Sequence, residues 1–381
     1  MLKVMHTADW HLGRSFGQFE PDDAQKLARD RLSVIDRILG LSDQYDVDAV
    51  LCAGDLFDEP NPQQDWWGGL ADAFARRKKW TRKVILLPGN HDPLTPESVY
   101  CKSHPFRRAL PNWVHVVDHK DFQLELAQDA VVYARPCTCK AGDEDLAMSL
   151  PDRALEDNRV RIGLVHGSTF DQDQQRGGAN FPVSLKAPRA RGLDYLAIGD
   201  THSYREIIAD GEMAPIVYPS TPEPTSFIEH DAGYVAVVWF KRHGTRPRVQ
   251  RERVARWTWR NESVRSMAEL NALVAGDLVS TVLRLRLDLT VSLSEMHELD
   301  RIVSLLKGTT ATNARAGAFV CDRSKLRLDL ERGISLTPDD PQALCEAAER
   351  LRMEATTSDQ ETAEEAKQAL VILQRILHEV R

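Results

Sequence analysis

The sequence predicts an α/β fold, and three observations carry that reading. Short apolar runs alternate with helix-period segments over the first two-thirds of the chain. The apolar runs lack a polar alternation, which fits strands buried on both faces. Several of them stop at a glycine next to a carboxylate or an imidazole, and the carboxyl ends of parallel strands are where such folds place ligands.

Taken in order, "LKVMHTAD" is a first strand. "DDAQKLARDRLSVIDRILGLSDQ" is a helix with Leu27, Leu32, Ile35, Ile38 and Leu39 along one side. "VDAVLCAGD" is a strand, and "DWWGGLADAFARRKK" is a helix despite its two glycines. "KVILLPGNHD", "RIGLVHGS" and "LDYLAIGD" are further strands. "REIIADGEMAPIVYPS" reads as a hairpin turning at Asp210-Gly211, and "GYVAVVWF" as another strand. The composition shifts near Lys241, where "KRHGTRPRVQRERVARWTWR" is basic and carries Trp257 and Trp259. A helix ("VRSMAELNALVAG"), a strand ("TVLRLRLDLTV"), a helix ("LSEMHELDRIVSLLKG") and a strand ("SKLRLDLE") follow, which suggests a small α+β domain. Two helices close the chain, the first from about Pro341 to Met353 with Asp340 as its cap, the second starting at Ser358 with a capping box. The expected organisation is a first domain over 1–240, a second over 241–335 and a helical pair over 336–381.

Composition sets limits. The 381 residues, 42% hydrophobic and 28% charged, suffice for two or three domains with a proper core. A net charge of -8 argues against a general nucleic-acid binder, except that bound divalent ions would invert the field locally. None of the six cysteines forms a CxxC pair, which speaks against a zinc ribbon. Cys137 and Cys139 read as two free thiols, and a cytoplasmic location is expected. "MLKVMHTADW" enters a strand directly, without a basic-then-apolar leader, and no apolar run is long enough for a bilayer, so no membrane association is expected.

The chemistry concentrates at strand ends. The first strand runs into Asp9-Trp10-His11, the second into Gly54-Asp55-Leu56-Phe57-Asp58, and the third into Gly89-Asn90-His91-Asp92. Two more end at His166-Gly167 and at Gly199-Asp200-Thr201-His202. Each motif alone is weak, and a lone His166 would read as a structural histidine. Their shared position is what implies a metal centre. The mixture of carboxylates, imidazoles and one carboxamide suits manganese, iron, zinc or magnesium rather than a thiolate site.

These motifs resemble the signature of the calcineurin-like metallophosphoesterases. "TADWHLGRSF", "AGDLFD" and "YPSTPEPTSFIEHDAGY" are similar to segments of the SbcD-type DNA repair exonucleases within that group, and the likeness covers about residues 1 to 240. The resemblance implies a sandwich of two mixed β-sheets flanked by helices, with a small α+β capping domain and a C-terminal helical pair. It implies two divalent ions, Mn2+ first, with Mg2+, Fe2+ or Zn2+ as alternatives. Asp9, His11, Asp55 and His202 would hold one, and Asp55, Asn90, His166 and Asp200 the other. Asp200 departs from the family's usual histidine, and a decayed second site is the alternative reading. His91 matches the family's catalytic histidine that binds no metal. Asp92 would orient His91 or a neighbouring ligand, and Asp58 would support a ligand from behind.

The implied reaction is in-line phosphodiester hydrolysis on DNA by a nuclease, an exonuclease acting with an SbcC-like coiled-coil ATPase in DNA repair or degradation. A metallophosphoesterase acting on a small phosphoester or a phosphoprotein, and a scaffold with a decayed site, are the alternatives. A second copy of the chain is a further partner to consider. The basic run "RRKKWTRK" precedes a strand and so belongs on the side away from the metals, whereas the 241–260 stretch is a candidate for phosphate contacts and base stacking. The stripe Ala366, Ala369, Leu370, Leu373, Ile376, Leu377 and Val380 is a candidate partner-binding face, against the reading that it packs on its own domain.

Overall fold

The apolar runs form short strands, and most are buried along their whole length. The computed structural model describes residues 1–77, 80–127, 129–170, 180–308, 316–329, 341–357 and 359–380. The chain divides into two units, Met1–Trp257 and Thr258–Arg381.

In the first unit the order is β1 (Leu2–Thr7), α1 (Pro21–Tyr45), β2 (Ala49–Cys52), α2 (Gln64–Ala75), β3 (Lys83–Leu86), α3 (Pro105–Ala109), β4 (Val114–Val116), β5 (Phe122–Ala127) and β6 (Ala130–Ala134). It continues through β7 (Val160–His166), β8 (Thr169–Phe170), β9 (Val183–Ser184), α4 (Ala187–Arg191), β10 (Tyr195–Gly199), β11 (Arg205–Ile207), β12 (Ile216–Tyr218), β13 (Tyr234–Phe240) and β14 (Arg248–Arg253). Two six-stranded sheets result, ordered β14-β13-β1-β2-β3-β4 and β11-β12-β10-β7-β6-β5. Both are mixed. Strands β1 to β4 run parallel while β13 and β14 add antiparallel, and β6, β7, β10 and β12 run parallel between antiparallel β5 and β11.

The period-2 geometry of a strand sorts the apolar side chains into layers. Val4, Ala49, Leu51 and Ile85 of the first sheet share a core with Val132, Ile162, Leu164 and Ala197 of the second. Their neighbours Met5, Val50, Val84 and Leu86 face the other way, onto Val34, Ile35 and Ile38 of α1 and Leu70 and Phe74 of α2. Val131, Val165, Leu196 and Ile198 cover the outer face of the second sheet with Leu146, Leu150 and Leu193. The unit is therefore a sandwich of two mixed sheets with helices outside.

Residues 241–257, expected at the start of the second domain, stay with the first unit. Strand β14 pairs with β13 from Tyr234↔Arg253 to Trp239↔Arg248. Trp257 is buried, and its Nε1 donates to Asp30 Oδ2 at 3.0 Å. It is core, and no base can stack on it. In the run 76–83, Arg77 and Arg82 pair with Asp43 and flank the buried Trp80 ring, while Lys78 and Lys79 lie outside the described residues.

The second unit comprises β15 (Thr258–Val264), α5 (Met267–Val274), β16 (Thr281–Leu287), β17 (Thr290–Ser292), α6 (Leu293–Lys307), β18 (Ala318–Asp322), β19 (Arg327–Asp329), α7 (Gln342–Glu354) and α8 (Gln360–Val380). Strands β15, β16 and β18 form a parallel sheet, and α6 starts with a capping box between Ser292 and Glu295. Ala366 and Leu370 of α8 pack on Leu293 and Ala355 within this unit, whereas Ile372 and Ile376 are exposed. Asp340 and Ser358, expected as helix caps, lie outside the described residues, as do the side chains of Leu377 and Val380. All six cysteines are free. No helix among the described residues is long and apolar enough to cross a membrane.

Candidate metal centre

The carboxyl ends of β1, β2 and β3 from one sheet and of β7 and β10 from the other meet, and the motif residues converge there. Four of them hold left-handed backbone angles that side chains other than glycine seldom adopt: Asp9 (φ 55°), His11 (φ 43°), Asp55 (φ 53°) and Asp200 (φ 96°). Such strain costs about 1–3 kcal/mol per residue and survives only where the surroundings enforce it. Here the β1 turn is laced to the β2 turn: Asp9 N–H donates to Gly54 O (3.0 Å), His11 N–H to Asp55 O (2.9 Å) and Leu12 N–H to Leu56 O (2.9 Å). Gly54 is required twice over. Its φ is +96°, and a Cβ there would lie 2.6 Å from Cγ of His166. At Gly89 a Cβ would run into the Asp55 carboxylate.

Among the described residues the donors fall into overlapping groups, two of which share Asp9, while a third joins His11, Asp58 and His91. Asp9, His11 and His202 form one cluster, and Asp9, Asp55 and His166 another. Asp55 Oδ2 lies 3.7 Å from His11 Nε2 and 3.4 Å from His166 Nε2, between the two. Asn90 Oδ1 is 2.8 Å from His166 Nε2, and Asp200 Oδ1 is 3.9 Å from it. Asp200 also accepts from the Ser168 hydroxyl, and its N–H donates to Asp9 Oδ1 (3.0 Å). The structure thus brings together all seven residues expected as ligands.

Partners on the far side of each ring fix the tautomers. The Ala53 carbonyl, 2.8 Å from His166 Nδ1, can only accept, so Nδ1 carries the proton. Asp58 Oδ1 accepts from Nδ1–H of His11 (3.0 Å), and Glu229 Oε1 from Nδ1–H of His202 (2.7 Å). All three Nε2 atoms then point inward, where they can exchange a second proton for a cation. His11 Nε2 and His202 Nε2 face each other at 3.0 Å, and Asp9 Oδ2 is buried without a hydrogen-bond partner. Nitrogen and oxygen donors converging this closely are what cations would satisfy, in exchange for the protons the site otherwise holds, so these residues fit a pair of divalent ions.

The electrostatics agree. Burial, moderated by His166 and His202, leaves the Asp9 pKa raised to about 6. Burial also acts on Asp55, yet the charge and hydrogen bond of His166 outweigh it and hold its carboxyl below the usual range. Burial opposes protonation of His166, but Asp55, Asp9 and Asp200 overcome it and hold its pKa well above 6.5. The site attracts positive charge, from protons or from metal.

The two residues expected to be catalytic differ in placement. His91 lies at the rim, its ring 4.9 Å from that of His11, its N–H donating to Asp55 Oδ1 (2.9 Å) and its Nδ1 facing the Asp58 carbonyl (3.2 Å). Asp92, expected to orient His91 or a ligand, is turned elsewhere. It accepts from Gly89 N–H (2.8 Å), Phe57 N–H (3.0 Å) and the Tyr100 hydroxyl (2.5 Å), which ties the β2 and β3 turns together. Burial and the Asp55 charge push its pKa up to about 7. Glu229, Ser168 and Arg31 were not anticipated. The adjacency of Ser168 to His166-Gly167 was a signal for one of them; nothing local marks the others.

Beside the centre, where Arg14 pairs with Asp58 (3.3 Å), a cavity of about 630 Å³ opens between Arg14, Phe16, Arg29 and Trp66, with Glu59 and Asp65 also at its wall.

Comparison with known proteins matches residues 2–204 to the calcineurin-like phosphoesterase family. The chain is 27% identical over 244 residues to an uncharacterized metallophosphoesterase, YhaO, of Bacillus subtilis (strain 168), covering 62% of this chain and 57% of that protein. It is 30% identical over 95 residues to the SbcD component of the SbcCD nuclease of the same organism, covering 24% of this chain and 22% of that protein. The chain therefore aligns with little more than half of the first relative's length and about a fifth of the second's. Among solved structures it is similar to TT1561 of Thermus thermophilus (11% identity, 66% of this chain and 99% of that one, TM-score 0.41). A dimetal phosphatase from Danio rerio is likewise similar (12% identity, 65% and 98%, TM-score 0.38). The family match takes in β1 to β10 and the turns that carry Asp9 through His202, and on it the chain belongs to the calcineurin-like phosphoesterase family.

Proposed function

We propose that the chain is a two-metal DNA nuclease of SbcD type, acting with an SbcC-like ATPase in DNA repair or degradation. The observation that carries the metal chemistry is the placement of Asp55 Oδ2 between His11 Nε2 and His166 Nε2, each ring locked from behind. Asp9, His11, Asp55 and His202 would hold one ion, and Asp55, Asn90, His166 and Asp200 the other. Bound ions supply Lewis acidity and neutralise charge developing on the phosphoryl oxygens.

The protein's own groups do the rest. Asp58 and Glu229 keep His11 and His202 in the tautomer that offers Nε2. The Asp58 carbonyl holds the proton on His91 Nδ1, so in the imidazolium form the second proton sits on Nε2 and would pass to the leaving oxygen, leaving the ring neutral. A carboxylate at 200, where the family usually has histidine, makes that pole harder and favours manganese or magnesium.

DNA as the substrate is supported by the partial likeness to a nuclease component, and by a neighbouring cavity that offers two arginines and two aromatic rings to an anionic, base-bearing ligand. The exposed Ile372 and Ile376 of α8 are the candidate attachment point for the ATPase. The second reading, a small phosphoester substrate, is favoured by one observation: surface arginines 76, 77 and 82 are already paired with Asp36, Asp43 and Asp46, in a chain of net charge -8. Labelled linear single- and double-stranded DNA, incubated with the protein and manganese beside bis-p-nitrophenyl phosphate, separates them. Cleavage of the small diester without cleavage of DNA, even with an ATPase partner added, would sink the nuclease reading.

A further inference from the structure

Arg31 lies in the middle of α1, 2% exposed, and no carboxylate is within ion-pairing distance of it among the described residues. Burial of a guanidinium is costly; the nearby charges of Glu223 and Glu229 offset part of that cost, and what Arg31 touches must supply the rest. Its Nε and Nη2 donate to Trp10 O (2.9 and 2.6 Å), Nη2 also reaches Asp9 O (3.3 Å) and Thr221 Oγ1 (3.1 Å), and Nη1 donates to Glu223 O (2.6 Å) and reaches Pro224 O (3.4 Å). The rigid fork of arginine thus joins two separate loops.

One loop is the turn Asp9-Trp10-His11, with Asp9 and His11 in the left-handed region. The other, residues 221–229, carries Thr225 and Glu229, which hold Nδ1 of His202. Thr221 repeats the link, since its hydroxyl lies 2.8 Å from both Asp9 O and Glu223 O. Asp9, His11 and His202 make up one of the metal-competent clusters. Every carbonyl that Arg31 engages belongs to the two loops that aim those three side chains.

We infer that Arg31 is a positioning residue for the Asp9/His11/His202 pole, clamping a strained turn to the loop that orients His202, without touching metal or substrate. The inference rests on the reading that this pole holds a cation. The clamp acts chiefly on this pole: the His166 pole, built on the ends of β2, β3, β7 and β10, meets it only through the shared Asp9.

The test is a calorimetric titration of manganese into wild type, Arg31→Lys, Arg31→Met and Thr221→Val, with folding checked by circular dichroism. Wild type should bind two ions. Arg31→Met should weaken one ion at least tenfold and the other distinctly less, Arg31→Lys should fall between wild type and Arg31→Met, and Thr221→Val should weaken the same ion several-fold. Adding Arg31→Met to His202→Ala should cost less than Arg31→Met costs in the wild type, because both act on one pole. If Arg31→Met does not fold, Thr221→Val alone decides. Unchanged stoichiometry and affinities in a folded variant, or equal weakening of both ions, overturns the clamp. A wild type that binds no manganese removes the metal reading itself and the clamp with it.

Discussion

Nε2 of His11 and Nε2 of His202 face each other at 3.0 Å, and each ring donates its Nδ1–H to a carboxylate, Asp58 or Glu229. A cation lying against both would replace the proton the two rings otherwise share. Removing metal should therefore destabilise the fold. At a free manganese concentration of about 100 times Kd, one site contributes about 2.7 kcal/mol. Thermal unfolding in manganese against excess EDTA should show a fall in Tm of several degrees; coincident curves would mean the site holds no ion.

His91 and Asp55 should separate chemistry from binding. His91→Ala should lower turnover at least a hundredfold while leaving metal content near wild type, because His91 contacts the centre through its N–H and rim position. Asp55→Ala should lose both ions, since its carboxylate lies between both groups. Metal content by mass spectrometry beside activity decides this. Loss of metal from His91→Ala would make His91 a ligand.

Asp200 offers a test of charge at constant backbone. Its φ of 96° suits few residues, and Asn and His are among those most tolerant of positive φ. Asp200→Asn should weaken the His166 pole by tenfold or more, whereas Asp200→His should retain activity and shift preference towards softer ions. Manganese and zinc titrations of the three proteins check it. Equal affinities for wild type and Asp200→Asn would take Asp200 out of the ligand set.

His6 makes a prediction away from the metals. It is fully buried in β1 with Nδ1 3.0 Å from the Tyr195 hydroxyl, and burial pushes its pKa down to about 3. A histidine depressed in the fold stays neutral there while the unfolded chain takes up a proton below its ordinary 6.5. Its contribution to stability is therefore complete above 6.5 and is lost as the pH falls from there towards 3, at up to about 1.4 kcal/mol per pH unit. Urea midpoints at pH 8 and pH 5.5 in EDTA should diverge for wild type and diverge less for His6→Gln. Parallel behaviour would assign the acid sensitivity to other groups.

Much of the candidate site was legible because its proposed ligands sit at the ends of buried strands, where local sequence shows both the strand and the break. Asp9, Asp55, Asn90, His166 and His202 were visible for that reason. Arg31 and Glu229 were not: on a helix and in a loop, a charged residue reads as solvated surface until the tertiary fold buries it. Asp92 misled in the opposite direction, since its position beside His91 suggested contact while the turn aims it at Gly89, Phe57 and Tyr100. In the fold, β5 and β6 escaped notice. Strand β5 alternates in burial at a sheet edge and draws its stability from pairing with β6, which no local pattern announces. The end of the first unit was placed too early because the basic residues of β14 look like a linker, although their backbone completes the first sheet.

The lacing of Asp9 to Asp200 spans 191 residues of chain, as does the meeting of His11 with His202. A contact of that separation closes a long loop before it returns any stability, so it forms late. During synthesis, Asp9, His11 and Asp55 emerge with half of their partners still untranslated. His166, Asp200 and His202 arrive only with β7 and β10, so a nascent or truncated chain that stops short of them lacks part of both donor groups that contain Asp9, and any cation capture would wait on the second sheet.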